Sequence, residues 1–525
     1  MTRWSRRLEP PDAVPLALAA LACLAYLASE VYVFYPRLGL PLDDSWIHLR
    51  FAGQLAAGEG LAYDSGRWVA GSTAPLWTAL LALVSASPLP PVLGAKLLGV
   101  FFFLASVDAT SRLAAELSLS RGLGRLAASA TAATHWLVWS ALSGMEVALF
   151  CWLSLWGMVL HLRERRSPPA VAPLGGPGGG TTVEISLPVL ALACLARPEG
   201  GLHFAAALVD RLLPARTAAA GLAALRRLSA PLAAAALVVV PTFVFYRTIG
   251  DSFLPTTFAV KSSPDPDFLP DGRYLRTVMD VFLRSQPVLT LFAGAGVVGL
   301  VSRLATARQR GLLPVFWVLG LPLAYSLLAA EGGPVIVGNF GRYYFPLLPV
   351  VALLGVLGWE GAARRLGRVP RVLLVAVLLP QAWGLATGPP RYVRTIANVE
   401  SSDVAAALWL AERLPPEAIL AVQDVGALKY HLDNPVIDLT GIVNPEILPH
   451  LRGRDGQERL LAFLAERRPD YLVVFPEYYP RIVGAPGMTP IRSFPVADNV
   501  TMAGDELVVF GTPWNDQPLA EGAGR

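Results

Sequence analysis

The sequence is poor in charge, in cysteine and in lysine. Only 16% of its 525 residues are charged, whereas about 25% is usual for a soluble protein. Its three cysteines, Cys23, Cys151 and Cys194, lie in apolar segments and show neither disulfide nor zinc-site spacing. Its basic residues include only three lysines and cluster in short loops between apolar segments. That distribution indicates membrane topology rather than a nucleic-acid-binding surface.

Long apolar segments are abundant instead. Hydrophobic residues make up 54% of the chain, and stretches near the 20 residues that span a bilayer recur through its first three quarters. We predict a polytopic α-helical membrane domain over residues 1–387 with about eleven transmembrane helices. The first run is too long for a signal peptide and is expected to be a retained anchor. Residues 75–84 are predicted to form a short helix in the outer leaflet, and RPEG at 197–200 a turn.

The arginine clusters orient this domain. Arg3, Arg6 and Arg7 place the N-terminus in the cytoplasm by the positive-inside rule. Later arginine clusters then fall on the same side, and the glycine-rich residues 175–180 are expected to be a flexible cytoplasmic linker. The loop at residues 37–74 becomes the first outer loop. The sequence therefore predicts a multi-pass protein of the cytoplasmic membrane.

The pattern changes after residue 388. The segments AILAVQ, PVIDLT, DYLVVF and ELVVF are typical of strands, and they alternate with the helical segments VAAALWLAERL and QERLLAFLAERR. This alternation predicts an extracytoplasmic α/β domain over residues 388–525. The single glycine of DVGAL does not indicate a dinucleotide site.

Several separated polar motifs share the predicted outer side, whereas the cytoplasmic loops contain little besides arginine. These motifs comprise Asp43 and Asp44, Glu146, Arg197 and Glu199, Lys261, and Arg342 and Tyr343. One carboxylate of the acidic pair can take a proton from an acceptor hydroxyl while the other holds the acceptor or tunes its neighbour. Lys261 and Arg342 suit a departing lipid-linked phosphate. A divalent metal is compatible with the pair, but no ligand spacing requires it.

Each motif also has a structural interpretation. The acidic pair can be solvated loop, Arg197 can simply pair with Glu199, and Glu146 can stabilise the start of the next helix. Arg342 and Tyr343 can be interfacial anchors. All of these motifs lie on the same predicted side of the membrane, and this common location favours a functional site.

The motifs resemble those of the GT-C superfamily of membrane glycosyltransferases, most closely bacterial relatives of the mycobacterial terminal arabinofuranosyltransferase. The resemblance rests on the first-loop segment DDSWIHLRFAGQLAAGEGLAYDSGRWVAGSTAPLW. It extends through GME at 144–146, RPEG at 197–200, GDSFLPTTFAVK at 250–261 and GRYYFPLLP at 341–349. DVGA and IDLTGIVNPE in the last part of the chain are also similar to the family.

The resemblance implies an enzyme that moves a sugar from a polyprenyl-phosphate donor to a glycan, lipid or protein hydroxyl, with no required cofactor. It implies Asp43 as the base and Asp44 as an acceptor-binding or supporting residue. His48 and Arg50 stand in the segment Trp46–Phe51, which departs from the family, so arabinose is not implied. The resemblance also implies eight substrate-binding residues: His48, Arg50, Glu146, Arg197, Glu199, Lys261, Arg342 and Tyr343. The alternatives are a transporter or flippase, which an acidic first loop and a large outer domain do not favour, and a non-catalytic glycan-binding relative.

Overall fold

The computed structural model describes residues 10–64, 66–166, 184–212, 217–261, 269–305, 312–328, 339–366, 371–451 and 455–520. The basic N-terminal cluster and the glycine-rich linker lie outside these residues.

The described residues in the first part of the chain are helical apart from one small hairpin and the connecting loops. Its elements are α1 (Ala13–Phe34), α2 (Asp43–Ala56), β1 (Ala62–Asp64), β2 (Arg67–Trp68), α3 (Pro75–Ser85), α4 (Pro91–Glu116), α5 (Arg121–Ala132), α6 (His135–Leu142), α7 (Val147–Arg166), α8 (Ser186–Ala196), α9 (Gly200–Leu212), α10 (Ala218–Gly250), α11 (Thr256–Lys261), α12 (Gly272–Ser285), α13 (Pro287–Ala305), α14 (Leu313–Leu328), a 3₁₀ helix (Asn339–Leu347), α15 (Leu348–Leu366) and α16 (Arg371–Val399).

Five helices among the described residues are long and apolar enough to cross a membrane, and a sixth span results if the bent pair α12 and α13 counts as one. They comprise α1, α4, α7, residues 221–250 of α10, and residues 341–364 of the 3₁₀ helix and α15. The chain is therefore a helical membrane protein. The finer count of about eleven spans stays a prediction; α3, α8 and residues 313–327 of α14 are apolar but shorter.

Proline explains the main helix breaks. The Arg197 backbone is extended (φ −157°), and Pro198 supplies no N–H with which to continue α8. The predicted interruption at RPEG thus separates α8 from α9. Pro287 begins α13, which turns by 119° from α12. These breaks bring polar residues to helix ends, where side chains from several elements can meet.

The last part of the chain forms a mixed sheet with short helices. Its elements are a π-helical turn (Glu400–Val404), α17 (Ala405–Ala411), β3 (Leu420–Val422), α18 (Gly426–His431), β4 (Val436–Asp438), a 3₁₀ turn (Pro445–Ile447), α19 (Leu448–Leu451), α20 (Gly456–Arg467), β5 (Tyr471–Val474), a 3₁₀ turn (Pro476–Tyr478), α21 (Pro480–Val483), β6 (Thr489–Pro495) and β7 (Glu506–Gly511).

The strand order is β4-β3-β5-β7-β6, with β3 parallel to β4 and β5 and with β7 antiparallel to β5 and β6. Leu420 is in register with Val436 and with Tyr471. All four residues of β5 are buried, as expected of a strand covered on both faces. The four strand segments read from the sequence coincide with β3, β4, β5 and β7, whereas β6 was not predicted.

The first loop and the sheet share one hydrophobic core. Ile47, Phe51 and Tyr63 of the first loop are buried in the same cluster as Leu420 and Val473 of the sheet. The division of the chain at residue 387 stays a prediction, and α16 runs without interruption through that position. The sheet is therefore held against the first loop by apolar packing as well as by the chain connection.

Candidate active site

Two segments distant in sequence form one side of the site. The Ser45 hydroxyl at the start of α2 donates to the Ser143 carbonyl oxygen (2.7 Å), and the Trp77 indole donates to the Gly144 carbonyl oxygen (2.9 Å). Gly144 has a positive φ of 78°, which glycine adopts at little cost. The first loop is thus bonded to the GME turn, and their acidic residues come to one place.

A cavity of about 370 Å³ lies at this junction. This volume falls within the range of small-molecule sites. Its lining includes seven of the predicted site residues: Asp44, His48, Glu146, Arg197, Glu199, Arg342 and Tyr343. Together with Tyr325, which also lines it, these side chains are called the cavity cluster. The remaining lining is mainly apolar and includes Leu202, Leu254, Phe258, Leu321 and Ile442.

Arg342 is the central cation of the cavity cluster. Its guanidinium is ion-paired with Asp44 through one terminal nitrogen and packs 5.5 Å from the ring centre of Tyr343. Only 2% of Arg342 is exposed, and its Nε and Nη1 atoms have no hydrogen-bond partner among the described residues. Buried donors without partners are costly, so this guanidinium is prepared to bind an anion beside the Asp44 carboxylate.

A chain of charged contacts forms the opposite wall. The Glu146 carboxylate lies 3.3 Å from His48 Nε2 and accepts a hydrogen bond from Arg197 (2.8 Å). Arg197 also donates to Glu199 (2.7 Å), which accepts a hydrogen bond from the Tyr325 hydroxyl. Arg197 is thereby neutralised by two carboxylates, whereas Arg342 retains donors for a further group.

Asp43 has different surroundings from its neighbour. Its carboxylate accepts the N–H groups of Gly426 (2.7 Å) and Ala427 (2.6 Å) at the start of α18, and it does not line the cavity. Removal from water raises the pKa of Asp43 to about 7, and this outweighs the lowering by those N–H groups. A Cβ atom on Gly426 would overlap Asp43. Asp43 thus joins the first loop to the sheet.

Two other predicted residues lie outside the cavity lining. Arg50 donates to the Tyr63 carbonyl oxygen (3.1 Å) and to the Asp433 carboxylate (3.3 Å), again between the first loop and the sheet part. Lys261 is the last residue of α11, whose Thr257 and Phe258 line the cavity. The Lys261 side chain lies outside the described residues.

Sequence reasoning missed Tyr325 and Ile442. Tyr325 carries a hydroxyl group within the mainly apolar helix α14. A polar group in an apolar segment is a signal that the sequence itself contains. Ile442 reaches the cavity from the loop after β4, where the Thr256 hydroxyl donates to its carbonyl oxygen (2.7 Å). No local pattern distinguishes Ile442 from other apolar residues. The sheet part therefore contributes directly to the cavity wall.

A second buried polar group supports the site from behind. Glu30 accepts hydrogen bonds from Lys96 (3.0 Å) and Tyr392 (2.7 Å), and these three residues are called the Glu30 cluster. Glu30 also accepts the Gly39 N–H (3.0 Å), and Lys96 donates to the Leu142 carbonyl oxygen (3.1 Å). Gly39 lies four residues before Asp43 and Leu142 four before Glu146. The Glu30 cluster thus fixes the chain segments that lead into the site.

The described residues contain no group of three or more His, Cys, Asp or Glu side chains that could hold a metal ion. The sequence is compatible with a divalent metal but does not predict one.

Comparison with solved structures identifies the fold. The Archaeoglobus fulgidus oligosaccharyltransferase AglB in complex with an inhibitory peptide and a dolichol-phosphate is similar over 87% of this chain and 69% of that chain, with a TM-score of 0.59 and 11% identity. The same enzyme tethered to an acceptor peptide gives a TM-score of 0.57 at 11% identity over 88% and 69%. Its complex with Zn and sulfate gives 0.54 at 13% identity over 90% and 71%.

Sequence comparisons add one local match. A family model described as a domain of unknown function, DUF8728, matches residues 393–510, which contain the mixed sheet. No curated protein matches the sequence. The closer relationship to the arabinofuranosyltransferase group stays a prediction, and the fold of this chain is similar to that of the archaeal oligosaccharyltransferase AglB.

Proposed function

We propose that the protein is a GT-C glycosyltransferase that moves a sugar from a polyprenyl-phosphate donor to an acceptor hydroxyl in the cavity. The observation that carries this proposal is the Asp44–Arg342 pair, in which a carboxylate and a buried guanidinium with two unpartnered donors face one cavity. A base beside an anion-binding group is what transfer from a phosphate leaving group requires.

The reaction follows from these positions. The Asp44 carboxylate takes the proton of the acceptor hydroxyl as its oxygen bonds to the anomeric carbon. The bond between that carbon and the phosphate oxygen breaks, and the phosphate leaves with the electron pair. Arg342 binds the phosphate through Nε and Nη1 while still holding Asp44, and Lys261 supplies a second cation.

This assignment exchanges the roles that the sequence predicts for the acidic pair. Asp44 becomes the base because it lines the cavity, and Asp43 positions the first loop against α18 through two backbone N–H groups. Arg50 likewise acts at that junction rather than on substrate.

The opposite wall orients the sugar. His48 Nδ1 is buried without a hydrogen-bond partner among the described residues, so it is available to a sugar hydroxyl. Glu146 holds His48 and Arg197 in place, and Glu199 holds Arg197. The ring of Tyr343 separates the two guanidinium groups, 4.8 Å from Arg197 and 5.5 Å from Arg342. A change at His48 is therefore expected to alter the sugar preference.

The apolar lining suits a lipid-linked donor. Leu202, Leu254 and Leu321 provide a surface on which the first isoprenyl units can lie, and AglB has been solved with a dolichol-phosphate. The acceptor would enter beside Ile442, where the sheet part meets the cavity. Its class is a glycan, lipid or protein hydroxyl of the cell envelope.

The orientation completes the proposal. The arginine-rich loops support an orientation in which the cavity and the sheet lie on the outer side of the cytoplasmic membrane. The donor sugar would then be used in the outer leaflet, which polyprenyl phosphate can reach after translocation.

Sugar transfer by the purified full-length protein tests this function. A panel of polyprenyl-phosphate sugars would be combined with envelope glycans and short glycan acceptors. We expect Asp44→Asn to lower kcat by about 10²- to 10⁴-fold and Asp43→Asn to act mainly on stability. The exposed Glu506→Gln serves as control.

Other outcomes contradict the proposal. Equal transfer by Asp44→Asn and wild type would remove Asp44 as base. Loss of transfer in Asp43→Asn at unchanged stability would restore the role that the sequence predicts for it. Movement of the sugar-lipid between leaflets without transfer would favour the transporter, and binding without either activity would favour the non-catalytic relative.

A further inference from the structure

A second cavity lies away from the proposed active site. It has a volume of about 700 Å³ and opens between α1, α16 and a loop of the sheet part. Its lining includes Tyr32 and Val33 of α1, Val393 and Arg394 of α16, and Ala497 and Asp498 of the loop. This cavity is called the α1–α16 groove. It shares no lining residue with the first cavity.

The groove contains one cation and one anion on otherwise mostly apolar walls. Arg394 and Asp498 are both exposed, and neither is ion-paired within the part of the chain that the structure describes. A guanidinium fits a phosphate group, and a carboxylate fits an ammonium group with N–H donors. The pair of charges thus selects a ligand that carries both a phosphate and an amine.

The groove lies at the end of the apolar helix α1, where the lipid headgroup region is expected. Tyr32 and Tyr35 are 90% and 80% exposed at this level, as tyrosines often are at a membrane interface. Further from this end, Leu21 and Leu24 of α1 and Leu379 of α16 are also exposed. These leucines offer the surface along which acyl chains would extend.

From this combination we propose that the α1–α16 groove binds a phospholipid whose headgroup carries a phosphate and a primary amine, as in phosphatidylethanolamine. Arg394 binds the phosphate, Asp498 accepts hydrogen bonds from the ammonium group, and the helix faces hold the acyl chains. The proposal does not depend on the glycosyltransferase function.

A lipid in the groove would connect the loop of the sheet part to α16. Asn398 of α16 donates to the Ala497 carbonyl oxygen (2.9 Å) and accepts the Val500 N–H (2.9 Å), so the loop is bonded directly to α16. A lipid held between Arg394 and Asp498 adds a bridge beside these hydrogen bonds. It would stabilise the sheet part against the membrane helices.

Lipid retention by the full-length protein tests this proposal. Detergent-purified protein would be given phosphatidylethanolamine, phosphatidylglycerol or phosphatidylcholine with matched acyl chains, and retained lipid counted by native mass spectrometry. Wild type is expected to retain about fivefold more phosphatidylethanolamine than phosphatidylglycerol or phosphatidylcholine. This ratio corresponds to the contribution of one exposed ion pair. Asp498→Asn should abolish this preference, and Arg394→Gln should weaken retention of all three lipids.

The variants have matched controls. Asp498 has a positive φ of 48°, which asparagine tolerates well, so Asp498→Asn preserves the loop. Glu506→Gln and Arg276→Gln change exposed charges outside the groove and should leave retention unchanged. Equal retention of phosphatidylethanolamine and phosphatidylglycerol by wild type would overturn the proposal, as would Arg394-dependent retention of added polyprenyl phosphate in preference to phospholipid.

Discussion

The cavity cluster and the Glu30 cluster are both buried and both combine acids with cations, yet their hydrogen bonding differs. Lys96 and Glu30 are fully buried and paired, and each bonds in addition to Tyr392 and to a backbone group. In the cavity cluster, Arg342 and His48 keep buried nitrogens without partners among the described residues.

The difference distinguishes a support from a binding site. A closed set of hydrogen bonds has no capacity for a ligand and holds its elements in one arrangement. An open set costs stability in the free protein, and a ligand that supplies the missing partners recovers this cost. We therefore expect changes in the Glu30 cluster to act first on folding and changes in the cavity cluster to act first on activity.

The largest effect on stability is expected from Lys96→Met. This change leaves the buried Glu30 carboxylate without its cation, which typically costs about 3–5 kcal/mol. The melting temperature of the purified protein should fall strongly. Glu30→Gln combined with Lys96→Met should recover much of the loss, because the buried charge is then removed. If Lys96→Met alone were as stable as wild type, this result would contradict the supporting role of the Glu30 cluster.

Among changes to the cations, Arg342→Gln should have the largest effect on activity. It removes the charge that binds the leaving phosphate, and loss of one such donor typically lowers kcat by about 10²- to 10³-fold. Arg342→Lys keeps the charge but not the planar set of donors and should recover part of the rate. Steady-state kinetics with a polyprenyl-phosphate sugar measures both. If the exposed Arg276→Gln reduced kcat as much, the effect would not be specific to the cavity.

Gly426→Ala should have an intermediate effect. The added methyl group overlaps Asp43, and overpacking of this kind costs about 1–3 kcal/mol. The sheet part should then become more sensitive to limited proteolysis near α18. Gly122→Ala is the control because a Cβ there meets nothing within 4 Å. Unchanged proteolysis of Gly426→Ala would show that Asp43 does not hold the sheet.

A smaller, pH-dependent effect is expected from Asp403→Asn. Burial raises the pKa of Asp403 well above its usual range, and the nearby Asp424 and Asp43 add to this shift. Folded protein therefore keeps a proton that unfolded protein releases. The resulting stability is full below the unfolded-state pKa and declines as pH rises toward the folded-state pKa, by at most about 1.4 kcal/mol per pH unit.

Asparagine resembles the protonated acid but cannot titrate. Between pH 5 and pH 8, the melting temperature of Asp403→Asn should accordingly decline less than that of wild type. The exposed Asp505→Asn should retain the wild-type slope. Identical slopes for Asp403→Asn and wild type would exclude Asp403 as a source of the pH dependence.

Tyr325→Phe should have the smallest effect. Glu199 loses the tyrosine hydroxyl but keeps Arg197, so the expected loss of transfer is about tenfold or less. Tyr344→Phe is the matched control on the adjoining 3₁₀ helix, because the Tyr344 hydroxyl is buried without a partner among the described residues. A larger loss in Tyr344→Phe than in Tyr325→Phe would contradict the arrangement of this wall.

Much of the architecture could be read from local patterns. Apolar length predicted the first long helix, α1, and the short helix at residues 75–84, and RPEG predicted the break before α9. The same-side argument anticipated that Asp44, Glu146 and Arg342 would meet, although it did not identify their partners. The strand β6 was missed because its TPIRSFP segment contains two prolines and five consecutive exposed residues, which weakens the alternation on which strand prediction depends.

The adjacent residues Asp43 and Asp44 show what local sequence patterns cannot predict. Asp43 and Asp44 point about 100° apart around α2 because a helix turns once in 3.6 residues. One consequently faces α18 and the other the cavity. Composition and apolar periodicity by themselves determined a helical membrane protein with a C-terminal α/β part, because these depend on nearest neighbours and burial. Only the tertiary structure decided which carboxylate meets Arg342, since that depends on packing between segments about 300 residues apart.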